Sequence, residues 1–179
     1  MKILIASDIH GRKDACRALL RRIEAEKPDE IWLLGDIMYN GPRNGVPSDY
    51  EPMEVSKMLL PLIDKTSIVC GNCDSRVDMM LLGKEMPLYI RKTAFGREFV
   101  LLHGDVYDDL EIKSSDIVVY GHTHIYSHGV KSSGHYEINP GSIGFPKNEN
   151  PRTYMTLEEG ELKLKELESG NTLEKDLLP

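Results

Sequence analysis

The sequence predicts an α/β fold, and two features of its apolar residues predict it. Through the first two thirds, short apolar runs alternate with stretches whose apolar residues recur at helical spacing. In the last third the pattern changes to short strands separated by Gly, Ser and Asn turns, giving a β-rich end. The 179 residues, 40% hydrophobic and 28% charged, suit one domain, 1–179, with a buried core.

Ile3 to Ala6 reads as a buried strand. Lys13 to Glu26 reads as the helix behind it, with Ala15, Ala18, Leu19 and Ile23 in helical spacing and Pro28 ending it. Ile31 to Leu34 is a second strand, Met53 to Ile63 a second helix ending near Pro61, and Ser67 to Cys70 a third strand. Phe99 to Leu102 and Ile117 to Tyr120 repeat the strand pattern. Shorter strands follow over Tyr126 to Lys131, His135 to Ile138, Thr153 to Leu157 and Leu162 to Leu167. Residues 40–52 and 80–97 read as loops. Met79, Met80, Leu81 and Leu82 suit either a homo-oligomer contact or a buried helix face.

A formal net charge of −7 repels polyanions, so long nucleic acid and acidic membranes are poor partners, while a small anionic substrate is compatible with bound cations. Three cysteines, Cys16, Cys70 and Cys73, do not make a disulfide framework, and the opening apolar run is too short for a signal peptide or a membrane span. The expected location is the cytoplasm.

Polar residues with metal-binding side chains stand just after the apolar strands. Asp8 and His10 follow the first, Asp36 the second, Asn72 the third, and His103, His122 and His124 the later ones. Because ligand sites in α/β sheets gather at the carboxyl ends of strands, these loops should converge. Gly11, Gly35, Gly71, Gly104 and Gly121 flank them, and glycine permits the tight turns a crowded site needs. Any one of these residues alone would read as a turn or a structural histidine. His128 and His135 keep that structural reading, and Cys70-Gly71-Asn72-Cys73 is rejected as a redox or zinc half-site because no second cysteine pair accompanies it.

In order, the strings are Asp8-Ile9-His10, Gly35-Asp36, Gly71-Asn72-Cys73-Asp74, His103-Gly104 and Gly121-His122-Thr123-His124. Together they resemble the calcineurin-like metallophosphoesterase superfamily. With Asn40-Gly41-Pro42-Arg43-Asn44 and Asn139-Pro140-Gly141-Ser142 added, the chain is similar to the small bacterial YfcE-type phosphodiesterases within it. The resemblance implies a four-layer α/β/β/α sandwich with two divalent metal ions. Asp8, His10, Asp36 and His124 would hold one ion, and Asp36, Asn72, His103 and His122 the other, with Asp36 as the bridge. It places Asp36, Asn72, Cys73 and Asp74 in catalytic positions and Asn40, Arg43 and Asn44 near the substrate. Manganese is the expected metal, and the mixed donor set also suits Zn²⁺, Fe or Ni²⁺. A hydroxide bridging the two ions would attack a small phosphodiester.

Two departures narrow this reading. Cys73 stands where most of the superfamily has a histidine, and a thiol is a mediocre general acid. Tyr39 and Asn40 stand where protein-phosphatase-like members carry Asp and Arg; the missing cation tilts the reading toward diester monoanions. Two alternatives are a phosphomonoesterase and a protein-assembly scaffold resembling vacuolar sorting protein 29.

Overall fold

The computed structural model describes residues 1–106 and 110–179. Two mixed sheets face each other. The first contains β1 (Lys2–Ala6), β2 (Glu30–Leu33), β3 (Thr66–Ile68), β9 (Thr153–Glu158), β10 (Glu161–Glu166) and β11 (Thr172–Leu177), in the order β11-β10-β9-β1-β2-β3. The second contains β4 (Tyr89–Ala94), β5 (Arg97–Leu102), β6 (Ile117–Val119), β7 (Tyr126–Val130) and β8 (Tyr136–Pro140), in the order β4-β5-β6-β8-β7. β1, β2 and β3 run parallel, as do β5, β6 and β8, so the ends of these strands share one rim of the molecule.

The central strands are apolar throughout because both of their faces are covered. Ile3, Ile5, Trp32 and Leu34 point between the sheets and meet Phe99, Leu101, Ile117 and Val119. Trp32 and Phe99 pack edge to face at 5.2 Å between centroids. Leu4, Ala6, Ile31 and Leu33 point the other way, onto α1 (Lys13–Glu26), α2 (Pro52–Leu59) and α3 (Arg76–Leu82). The three helices therefore lie on one face. The far face of the second sheet is covered by Leu110 and Ile112 from an irregular segment, over Val100, Leu102 and Val118.

Most expected elements are present; α1 has the expected bounds, and the other boundaries lie within two residues of expectation except the end of α2. α1 ends on Lys27 in the left-handed conformation, one residue before Pro28. The expected helix over 53–63 stops at Leu59 and continues as a 3₁₀ turn over Leu60–Lys65, which accepts Pro61 because proline needs no donor in a first turn. One element, β4, stands inside the stretch 80–97 expected to be a loop, and another, α3, takes in Met79–Leu82, which were open to a buried helix face. α3 begins on a capping box, in which Ser75 Oγ accepts from Val77 N–H and Asp78 accepts from Ser75 N–H. β4 is an edge strand paired with β5. β11 adds a strand beyond the expected last one. No helix among the described residues is long and apolar enough to cross a membrane.

Candidate metal centre

All seven expected ligand residues sit on loops at the shared rim, within a cleft of about 560 Å³ or directly beneath it. Five of them, Asp8, His10, Asp36, His122 and His124, have φ between +52° and +62°. That region is costly for side chains other than glycine, and residues held there cluster at functional sites. Here it turns five polar side chains off the strand direction toward one another. Asp8, His10, Asp36, His103 and His124 are buried, while Asn72 and His122 are reached by solvent.

Two groups form. Asp8 Oδ1 lies 3.6 Å from His10 Nε2 and 3.2 Å from His124 Nε2. Asn72 Oδ1 lies 3.1 Å from His103 Nε2 and 2.8 Å from His122 Nδ1. Asp36 stands between the groups, its Oδ2 being 3.5 Å from both His10 Nε2 and His103 Nε2. Asp8 Oδ1 is fully buried and has no hydrogen-bond partner among the described residues. An orphaned carboxylate oxygen among imidazole nitrogens is the donor set a transition-metal ion fits, since burial of an unpaired charge is otherwise expensive.

The opposite nitrogens of three imidazoles are fixed by backbone carbonyls. His10 Nδ1 is 2.8 Å from the Tyr39 carbonyl, His103 Nδ1 2.6 Å from that of Leu34, and His124 Nδ1 2.6 Å from that of Phe145. With Nδ1 donating there, Nε2 is the nitrogen each ring turns to the centre, the one that a metal ion would take in place of a proton. Burial alone would raise the Asp8 and Asp36 carboxyls, but the histidines beside them hold both below the ordinary value. Burial would lower His103, yet Asp36 and Asp8 raise it to about 9.

The residues expected near the chemistry take different places. Asp74 is not free in the cleft, because its carboxylate accepts three backbone N–H groups, from Asp36 at 2.7 Å, Ile37 at 2.8 Å and Gly71 at 2.8 Å. Burial and the adjacent Asp36 charge nonetheless push its carboxyl up to about 6. Its role is to position Asp36 against Gly71, whose lack of a side chain permits the contact. Asn40 is buried and does not line the cleft. Its amide donates to the carbonyls of Asn44 and Gly45, and Asn44 donates back to the Asn40 carbonyl, closing the loop on itself. Arg43, Asn44 and Cys73 do line the cleft, with Tyr39 and Lys147. Burial and then Asp36 push the Cys73 thiol up to about 12, so it stays protonated. His128 lies outside, between Glu174 and Asp176 of β11, and His135 beside Glu137.

Several further residues brace the site without facing the cleft. Ser142 Oγ donates to the Asp8 carbonyl and accepts from Gly144 N–H and Phe145 N–H. Asn139 donates to the Gly121 carbonyl. The Arg12 guanidinium holds Asp49, donates to the Gly144 carbonyl at 2.9 Å and lies over the Phe145 ring. The string 139–142 is thus part of the scaffold of this rim. Turn propensity alone does not distinguish that role from an ordinary turn.

A family model for the calcineurin-like phosphoesterase superfamily domain matches residues 1–161. The chain belongs to this superfamily. Phosphodiesterase YfcE of Escherichia coli (strain K12) is 34% identical over 163 residues, covering 88% of each chain. A solved structure of YfcE, a phosphoesterase from E. coli, superposes with a TM-score of 0.92 at 31% identity over the full length of both chains. Vps29 from Entamoeba histolytica, solved with zinc, matches at a TM-score of 0.66 and 20% identity over 99% of each chain, a likeness of fold. Membership in the superfamily carries a phosphoesterase activity that depends on divalent metal ions, and Asp8, His10, Asp36, His103 and His124, with the Cys73 thiol beside His10 and Asp36, are close enough to one another to be candidate ligands.

Proposed function

We propose that the chain is a cytoplasmic phosphodiesterase whose residues 1–179 act as one domain on small phosphodiesters with two divalent ions, manganese first among them. Asp8, His10, Asp36 and His124 would hold one ion, and Asp36, Asn72, His103 and His122 the other. The observation that carries this reading is the place of Asp36, equidistant at 3.5 Å from a histidine of each group. When bound, a pair of such ions supplies Lewis acidity toward the phosphoryl oxygens and makes water nucleophilic near neutral pH.

The protein's own part is positional. Asp74 and Gly71 fix Asp36, and backbone carbonyls aim the imidazoles, so the donors are pre-oriented before an ion arrives. Arg43 and Asn44, on the loop after β2, face the cleft where a phosphate ester would lie. No imidazole occupies the place of Cys73, and its protonated thiol gives weak help to a leaving alkoxide. Esters with acidic leaving groups are therefore the best substrates, and the E. coli relative's designation as a phosphodiesterase agrees with the diester preference.

The test is turnover of bis(p-nitrophenyl) phosphate and p-nitrophenyl phosphate by purified protein with Mn²⁺, Zn²⁺ or Mg²⁺, alongside Asp36→Asn. The diester should turn over faster than the monoester, with the variant reduced at least about 100-fold. Absence of turnover with every metal, or an unimpaired variant, refutes the reading and favours a Vps29-like scaffold; a monoester preference moves it to a phosphomonoesterase.

A further inference from the structure

The cleft carries more positive charge than a simple diester needs. Among the described residues that line it the only carboxylate is Asp36, and Asp8 lies just beneath. On the proposed metal assignment, two divalent ions held by two carboxylates leave a surplus of two positive charges. A diester monoanion and an anionic nucleophile cancel that surplus. Arg43 and Lys147 then remain. They reach the cleft from separate loops, one after β2 and one between β8 and β9, and neither side chain has a hydrogen-bond or ion-pair partner among the described residues.

Among the described residues no carboxylate, Asp105 near His122 included, is paired with either cation. Asp49 is taken by the Arg12 guanidinium, and Asp74 by its three backbone N–H groups. On a chain of net charge −7, two cations without a partner among the described residues, at the mouth of one cleft, are a local reversal of sign that draws in anions. Both side chains are exposed and long, so they can close on a group that extends beyond the reacting phosphorus. The room of about 560 Å³ exceeds what a bare phosphate ester fills.

From this we infer that the substrate is a phosphodiester bearing a second, dianionic phosphate, which Arg43 and Lys147 bind while the diester is cleaved. The inference rests on the phosphodiesterase reading above, and the following comparison separates the two.

The protein, loaded with Mn²⁺, is given two substrates with the same leaving group: thymidine 5′-(p-nitrophenyl phosphate), and the same compound with a 3′-phosphate. The 3′-phosphorylated substrate should have a kcat/KM higher by at least about tenfold. In the double variant Arg43→Gln with Lys147→Gln, kcat/KM for that substrate should fall at least about tenfold more than for the plain diester. A readout independent of turnover is equilibrium dialysis of the products, in which thymidine 3′,5′-bisphosphate should bind tighter than thymidine 5′-monophosphate in the wild type, with the difference lost in the variant. Equal kcat/KM for the two substrates, equal binding of the two products, or a preference the variant keeps, overturns the inference and leaves the phosphodiesterase reading standing. Failure to cleave either substrate overturns both.

Discussion

Ser142→Ala removes one oxygen atom from a site it does not touch, and the structure lets the cost be worked out bond by bond. The hydroxyl donates to the Asp8 carbonyl at 3.0 Å and accepts from Gly144 N–H at 3.2 Å and Phe145 N–H at 2.8 Å. After truncation Gly144 N–H keeps the Asp8 carbonyl at 2.9 Å, and that carbonyl keeps Gly144. Phe145 N–H loses its acceptor. One orphaned donor costs about 1–3 kcal/mol, and the lost hydroxyl bond to Asp8 adds about 1 kcal/mol, so roughly 2–4 kcal/mol of stability should go. For a chain of this size that is a fall in Tm of roughly 5–15 °C. The Phe145 carbonyl also fixes His124 Nδ1, so the Mn²⁺ concentration for half-maximal activity should rise about tenfold. Urea melts read the first quantity and metal titration of diester hydrolysis the second. A stability loss below about 0.5 kcal/mol with an unchanged titration would refute the view that this hydroxyl braces the rim.

Two further substitutions test the scaffold. A Cβ on Gly71 would crowd Asp36, lying 2.5 Å from its backbone nitrogen and 3.0 Å from its Cγ, so Gly71→Ala should cut kcat/KM about 100-fold at a stability cost of about 1–3 kcal/mol; near-wild-type kinetics would contradict the placement of Asp36. Glu26, near the end of α1, joins Lys2 of β1, Tyr154 of β9 and Lys165 of β10. Burial would raise its carboxyl, but Lys165, Tyr154 and Lys2 hold it below the ordinary 4.5, so its contribution is full above that pH and lost as pH falls through the lowered value. Glu26→Gln should therefore cost about 1–2 kcal/mol at pH 7, allowing for solvent screening, with the Tm gap to wild type closing as the pH is lowered toward 3; a gap constant with pH would show that the charge is idle.

What the sequence makes legible follows from how far each signal reaches along the chain. Strands buried on both faces, such as β1 and β2, announce themselves as unbroken apolar runs, and their following loops could be ordered into one rim. β4 and β11 are exposed along most of their length, with Ala94 the one buried residue in the two strands, so neither prints an apolar run or a clear alternation. α3 is seven residues long, too short for helical periodicity, although Ser75 and Asp78 carry a capping signal that could have located it. The seven rim residues were legible because each has a side chain suited to a metal and a glycine neighbour in most cases. Asp74 illustrates the limit. Two of the donors it accepts belong to Asp36 and Ile37, 38 and 37 positions earlier, and a backbone N–H has no letter in the sequence. Asn40 shows the same limit, since its turn-closing bonds to Asn44 and Gly45 are visible only once the loop is folded.

The rim residues come from both sheets: Asp8, His10, Asp36 and Asn72 from loops of the first, His103, His122 and His124 from loops of the second. Ions bound there would act as rivets across a seam, fastening two slabs that are otherwise joined by the apolar layer of Trp32, Phe99 and their neighbours. That layer is non-directional and tolerates small sliding, whereas coordination fixes distance and angle. Chelation would then release the sheets at one margin while the greasy interior keeps them together, and the cleft would lose its shape before the protein loses its fold.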